Sequence, residues 1–191
     1  MVKNVSYNLF RVLLFIACIY PVQPDAQELD DLIKEGKDII NGYAVNMQLE
    51  YDNAYRQNDP LFVKNVCTKK AKEIAGKLGR EGWSIRRISL ENKNTENEPD
   101  HTEKRILNDF VSKVQNGKDI NKLAWYKLRE IGNQSEFRYI RAFSLDKRCM
   151  ECHSGISPPM AAYSVKKIEM ENYFPDETKK NSHIPLPEFK E

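Results

Sequence analysis

The run Cys149-Met150-Glu151-Cys152-His153 constrains this chain more than any other stretch. Two thiols three residues apart, followed at once by an imidazole, suit one task. The sulfurs add to the two vinyl groups of a haem, and the histidine coordinates its iron from the proximal side. A fold built around such a run has to supply a second axial ligand, a dry pocket and partners for two propionates. Other uses of the spacing fit less well. A thioredoxin-like pair sits where a strand hands over to a helix in a βαβ unit, and it needs no following histidine. A zinc site needs two more ligands at knuckle spacing, whereas Cys67 stands alone. A disulfide between Cys149 and Cys152 closes too small a loop to stabilise much.

Covalent haem attachment is extracytoplasmic chemistry, and the N-terminus carries an export pattern. Lys3 and Arg11 flank a polar start, Val12 to Tyr20 form an apolar core, and Pro24-Asp25-Ala26 precede a cleavage point. Residues 1–26 therefore read as a signal peptide, with a mature chain from near Gln27. The apolar core is shorter than the roughly 20 residues a membrane-spanning helix needs. The expected location is periplasmic or another extracytoplasmic compartment, with no membrane span in the mature chain. Phe15-Ile16-Ala17-Cys18 is a loose lipoprotein-like box lacking the usual leucine, so lipid anchoring at Cys18 ranks behind cleavage. Of the four cysteines, Cys18 leaves or carries lipid and Cys149 and Cys152 hold haem. Cys67 remains, and a lone thiol in an oxidising compartment is a reactive group, an intermolecular bridge or a ligand.

With 191 residues, 40% hydrophobic and 30% charged, the chain suits one domain of ordinary size. A net charge of +2 without a separate basic block leaves no nucleic-acid footprint. From Glu28 to about Asn58, Leu29, Leu32, Ile33, Ile40, Met47 and Tyr51 recur at helical spacing. Asp59-Pro60 signals a second helix to about Leu78, ended by Gly79. On it Leu61, Cys67, Ala71, Ile74 and Leu78 share a face, which directs the Cys67 sulfur toward the core. Trp83 to Leu90 reads as a strand whose period slips at Arg86-Arg87, through a bulge or because its two ends are buried on opposite faces. After a polar loop over 91–99, Asp100 and Glu103 open a helix that carries Ile106, Leu107 and Phe110 and stops at Asn116-Gly117. Leu123 to Ile131 and Glu136 to Phe143 form a hairpin through Gly132-Asn133, and a last strand runs near Ala161 to Ile168. The division expected is a signal over 1–26, an N-terminal helix over 27–59, a haem domain over 60–170 and a flexible tail over 171–191. The fold class is α+β: long N-terminal helices, an antiparallel sheet in a PAS-like order, and a C-x-x-C-H turn near the C-terminus.

Candidates for the sixth position on the iron are Cys67, His101, His183, a methionine (Met47, Met150, Met160 or Met170), or nothing. Cys67 has the strongest chemistry, because a thiolate binds ferric iron tightly and the metal deprotonates it. Met residues more often fill core gaps, His101 begins a helix, and His183 lies in the tail. Arg86, Arg87, Arg138 and Arg141 are candidate propionate partners, since arginine binds carboxylates bidentately. Arg141 shares strand parity with Phe137, Tyr139 and Phe143, an aromatic face suited to haem.

Over about residues 60–168 the chain resembles the single-haem, PAS-like c-type cytochrome family that includes cyanobacterial proteins with His/Cys-ligated haem. The resemblance rests on Val66-Cys67, on Gly82 to Ser89, on Glu98-Pro99-Asp100 with Glu103, on Trp125-Tyr126, on Phe137-Arg138-Tyr139 and on Cys149 to His153. It implies His153 as proximal ligand, Cys67 as distal thiolate and one covalent haem c. It also implies a redox-sensing, gas-sensing or electron-carrying role. The expectation is thus a low-potential one-electron carrier, or a sensor of redox state or of NO or CO, that relays to a redox or signalling partner protein. A haem enzyme of peroxidase or nitrogen-oxide reductase type, with an open distal site, is the alternative. It has no evident distal acid/base pair to support it. A PAS-like interaction module without haem is a third reading.

Overall fold

A computed structural model describes residues 26–170, apart from 59 and 93. Residues 1–25 of the expected signal, with Cys18, and residues 171–191, with His183, lie outside the described residues. Among those described, no helix is long and apolar enough to cross a membrane.

Helix α1 (Ala26–Arg56) runs for 31 residues, about 46 Å at 1.5 Å per residue. It is followed by α2 (Pro60–Asn65), a π-helical turn (Val66–Lys70) and α3 (Ala71–Leu78). The second helix read from the sequence is therefore one rod with a π turn in its middle. The chain continues through β1 (Trp83–Ile88), α4 (His101–Gln115), β2 (Ala124–Ile131), β3 (Gln134–Ser144), α5 (Lys147–Met150) and β4 (Met160–Met170). The strands form one antiparallel sheet in the order β1-β4-β3-β2. An α+β class with an N-terminal helix and an antiparallel sheet is what the sequence pattern led us to expect.

The sheet has a core on each face. On one side Leu32, Ile40 and Tyr43 of α1 and Ile74 of α3 pack on Trp83, Ile85 and Phe137. On the other, Ile106, Leu107 and Phe110 of α4 pack on Ile88, Ile140 and Ala162. This explains the slipped period of β1. Its register with β4 is unbroken from Trp83↔Lys167 to Ile88↔Ala162, so there is no bulge. Trp83 and Ile85 serve the α1 core and Ile88 the α4 core. Helix α1 contributes to the same core as the sheet, although the sequence divided it from the domain that begins at residue 60.

The capping box at α4 forms as read. Asp100 accepts from the Glu103 amide at 2.9 Å, and the Glu103 carboxylate accepts from the Asp100 amide at 2.8 Å. Gly82 adopts φ +83° beside β4. A Cβ there would overlap the Ile168 carbonyl oxygen, so only glycine fits.

Candidate functional site

The segment carrying Cys149 to His153 is an excursion from the β3–β4 hairpin, closed at its base by Leu145 N–H donating to the Pro159 carbonyl at 2.8 Å. Asp146 caps α5, its carboxylate accepting from the Cys149 amide at 3.0 Å. The turn continues past α5, with the His153 amide donating to the Cys149 carbonyl at 3.0 Å and the Cys152 amide to the same oxygen at 3.2 Å. Residues at i, i+3 and i+4 of a helical turn share a face. Cys149, Cys152 and His153 therefore stand on one side of the excursion.

Arg148 ties this turn to α1. Its guanidinium donates to Asp52 at 2.8 Å and to Asp146 at 2.9 Å, and it lies 5.6 Å and 5.4 Å from the ring centroids of Tyr51 and Tyr55. Hydrogen bonds from Arg148, before all other influences, hold the Asp52 carboxyl below the usual aspartate range. Nothing in the sequence pointed to this clamp, because its two halves are far apart along the chain.

Between the turn, the α2–α3 rod, the end of β1 and the 91–99 loop lies a largely apolar cavity of about 560 Å³. Cys149, Cys152 and His153 line it from the excursion. Cys67 lines it from the π turn, and Phe143, Leu145, Ile156 and Ala161 supply apolar wall. Cys67 and Cys149 are half-buried and Cys152 is exposed. The sequence directed Cys67 into the core, but the neighbouring Val66 takes that place, at 4% exposure, and the sulfur faces the cavity. A π turn changes the angle at which successive side chains leave the helix, and this one lies at Cys67. Leu61, assigned to the same core face, is 72% exposed at the cavity's edge. Tyr51 also lines the cavity. Burial first, then the Cys67 and Cys149 thiols, push its phenol above the ordinary tyrosine range. Burial likewise pushes the Cys149 thiol up, with Asp146 adding to it.

The four arginines divide. Arg87 lines the cavity and donates from Nη2 to the Cys67 carbonyl at 3.1 Å. Arg86 and Arg138 point to the opposite face, into a network of paired charges. Arg86 is bonded to the buried Glu103, and Arg138 donates to Glu136 at 2.7 Å and to Asp100 at 2.5 Å. Neither lines the cavity. Arg141 is on the aromatic face, as its parity indicated, but its two terminal nitrogens donate to Asn41 of α1 at 3.0 and 3.1 Å. The polar edge of the cavity comes instead from Lys64 and from Asn92, Asn94 and Asn97 of the 91–99 loop. The sequence showed only that this loop is polar.

Of the other candidate ligands, His101 starts α4, while Met47 and Met160 are buried in the α1 and α4 cores respectively. Among the described residues, no methionine and no histidine other than His153 lines the cavity.

Comparison with known families matches residues 23–179 to the family model described as Tll0287-like. No curated protein and no solved structure matches the chain.

Proposed function

Because the chain belongs to the Tll0287-like family, we propose that it is an exported mono-haem c-type cytochrome with a PAS-like fold. In this reading Cys149 and Cys152 hold one haem c covalently, His153 is the proximal ligand and Cys67 the distal thiolate. The role is one-electron transfer, or sensing of redox state or a diatomic gas. The observation that carries the reading is the meeting of these four side chains at one cavity, although Cys67 comes from a distant helix. The residues present fit the group. The volume lies within the roughly 300–1,000 Å³ usual for small-molecule and cofactor sites. The walls are apolar, and Lys64 with three asparagines forms a polar edge that suits two carboxylates.

Bound haem supplies a one-electron Fe(III)/Fe(II) couple whose potential depends on its axial ligands, burial and hydrogen bonds. The chain's residues have separable tasks. Asp146 and Arg148 hold the Cys149–His153 turn against α1, so the imidazole and both sulfurs keep a fixed orientation. Phe143, with Tyr163 stacked on it at 4.3 Å, keeps water from one wall. An anionic sulfur from Cys67 favours ferric iron and lowers the potential. The helix that carries it is the part that would shift if reduction or a gas displaced the sulfur. The relay is expected to be to a separate redox or signalling protein.

The test is absorption and electron paramagnetic resonance spectroscopy of the full chain produced with haem-attachment machinery, beside Cys67→Ser. The expected result is haem that survives denaturation in both proteins, and a low-spin ferric thiolate signature in the wild type alone. Wild-type protein that never retains covalent haem overturns the cytochrome reading. Identical spectra in the two proteins overturn the role of Cys67.

A further inference from the structure

On the α4 face, buried charges meet opposite charges: Glu103 with Arg86, and Glu136 with Arg138, Arg129 and Lys166. Arg87 is different. It is half-buried at the cavity wall, yet among the described residues it makes no ion pair. Its surroundings are the Cys67 carbonyl, which it bonds at 3.1 Å, the phenol of Tyr43, which is 2% exposed, and Tyr163, its register partner on β4. A guanidinium stays charged at any pH a protein survives, and holding that charge partly out of water without an anion is costly. The arrangement is therefore completed when the cavity acquires a negative charge next to Arg87. The carboxylates of a bound haem have another partner at the polar edge, where the ammonium of Lys64 also makes no ion pair among the described residues. The thiol of Cys67 lines the same cavity, on the residue whose carbonyl Arg87 already grips, and a thiol that coordinates a metal becomes such an anion.

We propose that Arg87 is a positioning residue for the distal ligand: it fixes the π turn through the Cys67 carbonyl and provides the counter-charge that offsets the Cys67 thiolate. The proposal rests on the His/Cys reading above. When the thiol ligates iron its proton leaves to solvent, and the negative charge that stays on sulfur is balanced from the protein side by a cation already in place. A positive charge beside the sulfur draws electron density from it and favours ferrous iron. Arg87 thus raises the potential above what an unassisted thiolate gives.

The experiment measures the Fe(III)/Fe(II) midpoint potential against pH, with the ferric spectra, in wild type, Arg87→Gln and Arg87→Lys. Glutamine keeps a donor for the carbonyl and loses the charge, whereas lysine keeps the charge. Arg87→Gln is expected to retain covalent haem and the thiolate signature, and to shift the equilibrium about tenfold toward ferric iron, about 59 mV for one electron. Arg87→Lys should recover most of that shift. A change under threefold in Arg87→Gln overturns the proposal. So does a shift toward ferrous iron, or one that appears only as a new pH dependence between about pH 4 and 7, the mark of a haem carboxylate partner. Loss of the thiolate signature in both variants overturns the counter-charge and leaves Arg87 a backbone tether. Wild type and Cys67→Ser are measured first, so failure of the underlying ligation is recognised before any Arg87 variant is compared.

Discussion

Glu103 is the residue whose removal should damage the scaffold and spare the site. Its side chain is 2% exposed and accepts from Arg86, from the Asp100 amide at 2.8 Å and from Ser164 Oγ at 2.6 Å. Truncation leaves a guanidinium, an amide and a hydroxyl without their acceptor. Breaking a buried ion pair costs about 3–5 kcal/mol. Arg86 is about one-third exposed and keeps the Glu96 and Glu98 carbonyls at 3.3 and 2.9 Å, which pulls its share toward the low end. Water entering the space left by the carboxylate takes up most of the amide and hydroxyl, whose full orphaning would add about 1–3 kcal/mol each, so a total of about 3–5 kcal/mol is expected for Glu103→Ala. At about 2–4 °C per kcal/mol for a chain of this size, the melting temperature falls by about 6–20 °C. Glu103→Gln should cost less, about 1–2 kcal/mol, because its amide can donate to Ser164 Oγ while its oxygen still accepts from Arg86 and Asp100. Urea and thermal unfolding followed by circular dichroism measure both variants. Glu103→Ala within about 1 kcal/mol of wild type, or glutamine as damaging as alanine, would show that Glu103 does not hold this network together. If the proposed haem is present, a change in its spectrum in folded Glu103→Ala would refute the separation of the two faces.

The same network sets a pH dependence. Burial alone would raise the carboxyls of Asp100 and Glu136, but hydrogen bonds from the Glu103 amide and Arg138 to Asp100, and from Arg138 and Arg129 to Glu136, leave both below their ordinary values. A depressed folded value stabilises above the unfolded values of about 3.9 and 4.3 and is lost as pH falls through the folded ones. The stability gap between wild type and Asp100→Asn, measured by urea unfolding from pH 6 to pH 2, should therefore narrow below about pH 4; a gap constant across that range refutes the linkage. Two glycines should respond in opposite directions. Gly82→Ala overlaps the Ile168 carbonyl oxygen in a left-handed conformation and should destabilise by more than about 1 kcal/mol. Gly76→Ala, inside α3 with nothing within 4 Å, should stabilise by about 0.5–1 kcal/mol. Unfolding midpoints decide both, and equal signs would contradict the backbone argument.

Local signals carried much of the fold. The capping pair Asp100 and Glu103, the Gly132-Asn133 hairpin and the apolar spacing of α1 are short-range codes, and each gave its element nearly to the residue. The slipped period of β1 was legible as a pattern, and became interpretable once α1 and α4 were seen to cover opposite faces. The π turn left no such mark. One extra residue in a helical turn alters no propensity, yet it decides that Val66 fills the core while Cys67 faces the cavity. The arginines were opaque for another reason. Arg86 and Arg87 are adjacent and chemically identical, and only strand parity, with the carboxylates that wait on each face, separates a structural ion pair from a cavity wall.

That separation bears on the order of assembly. On the α4 face the charges neutralise one another within the chain, so this half of the protein can reach its final stability on folding alone. At the cavity the ledger is open: Arg87 and Lys64 face it without an ion pair among the described residues. A group that brings negative charge and apolar surface to that place binds the folded state and not the unfolded one, and stabilises it by mass action or, if attached covalently, permanently. On the proposed reading, the chain without haem should therefore fold with its sheet and α4 intact and be weakest along the π turn and the Cys149–His153 excursion. Amide hydrogen exchange would show protection in β3 and α4 with or without haem, and protection in residues 60–70 and 146–159 rising chiefly on attachment. Equal protection of those two segments in both forms would mean that Arg87 and the turn need no anion to hold them. The site would then be built by the scaffold alone.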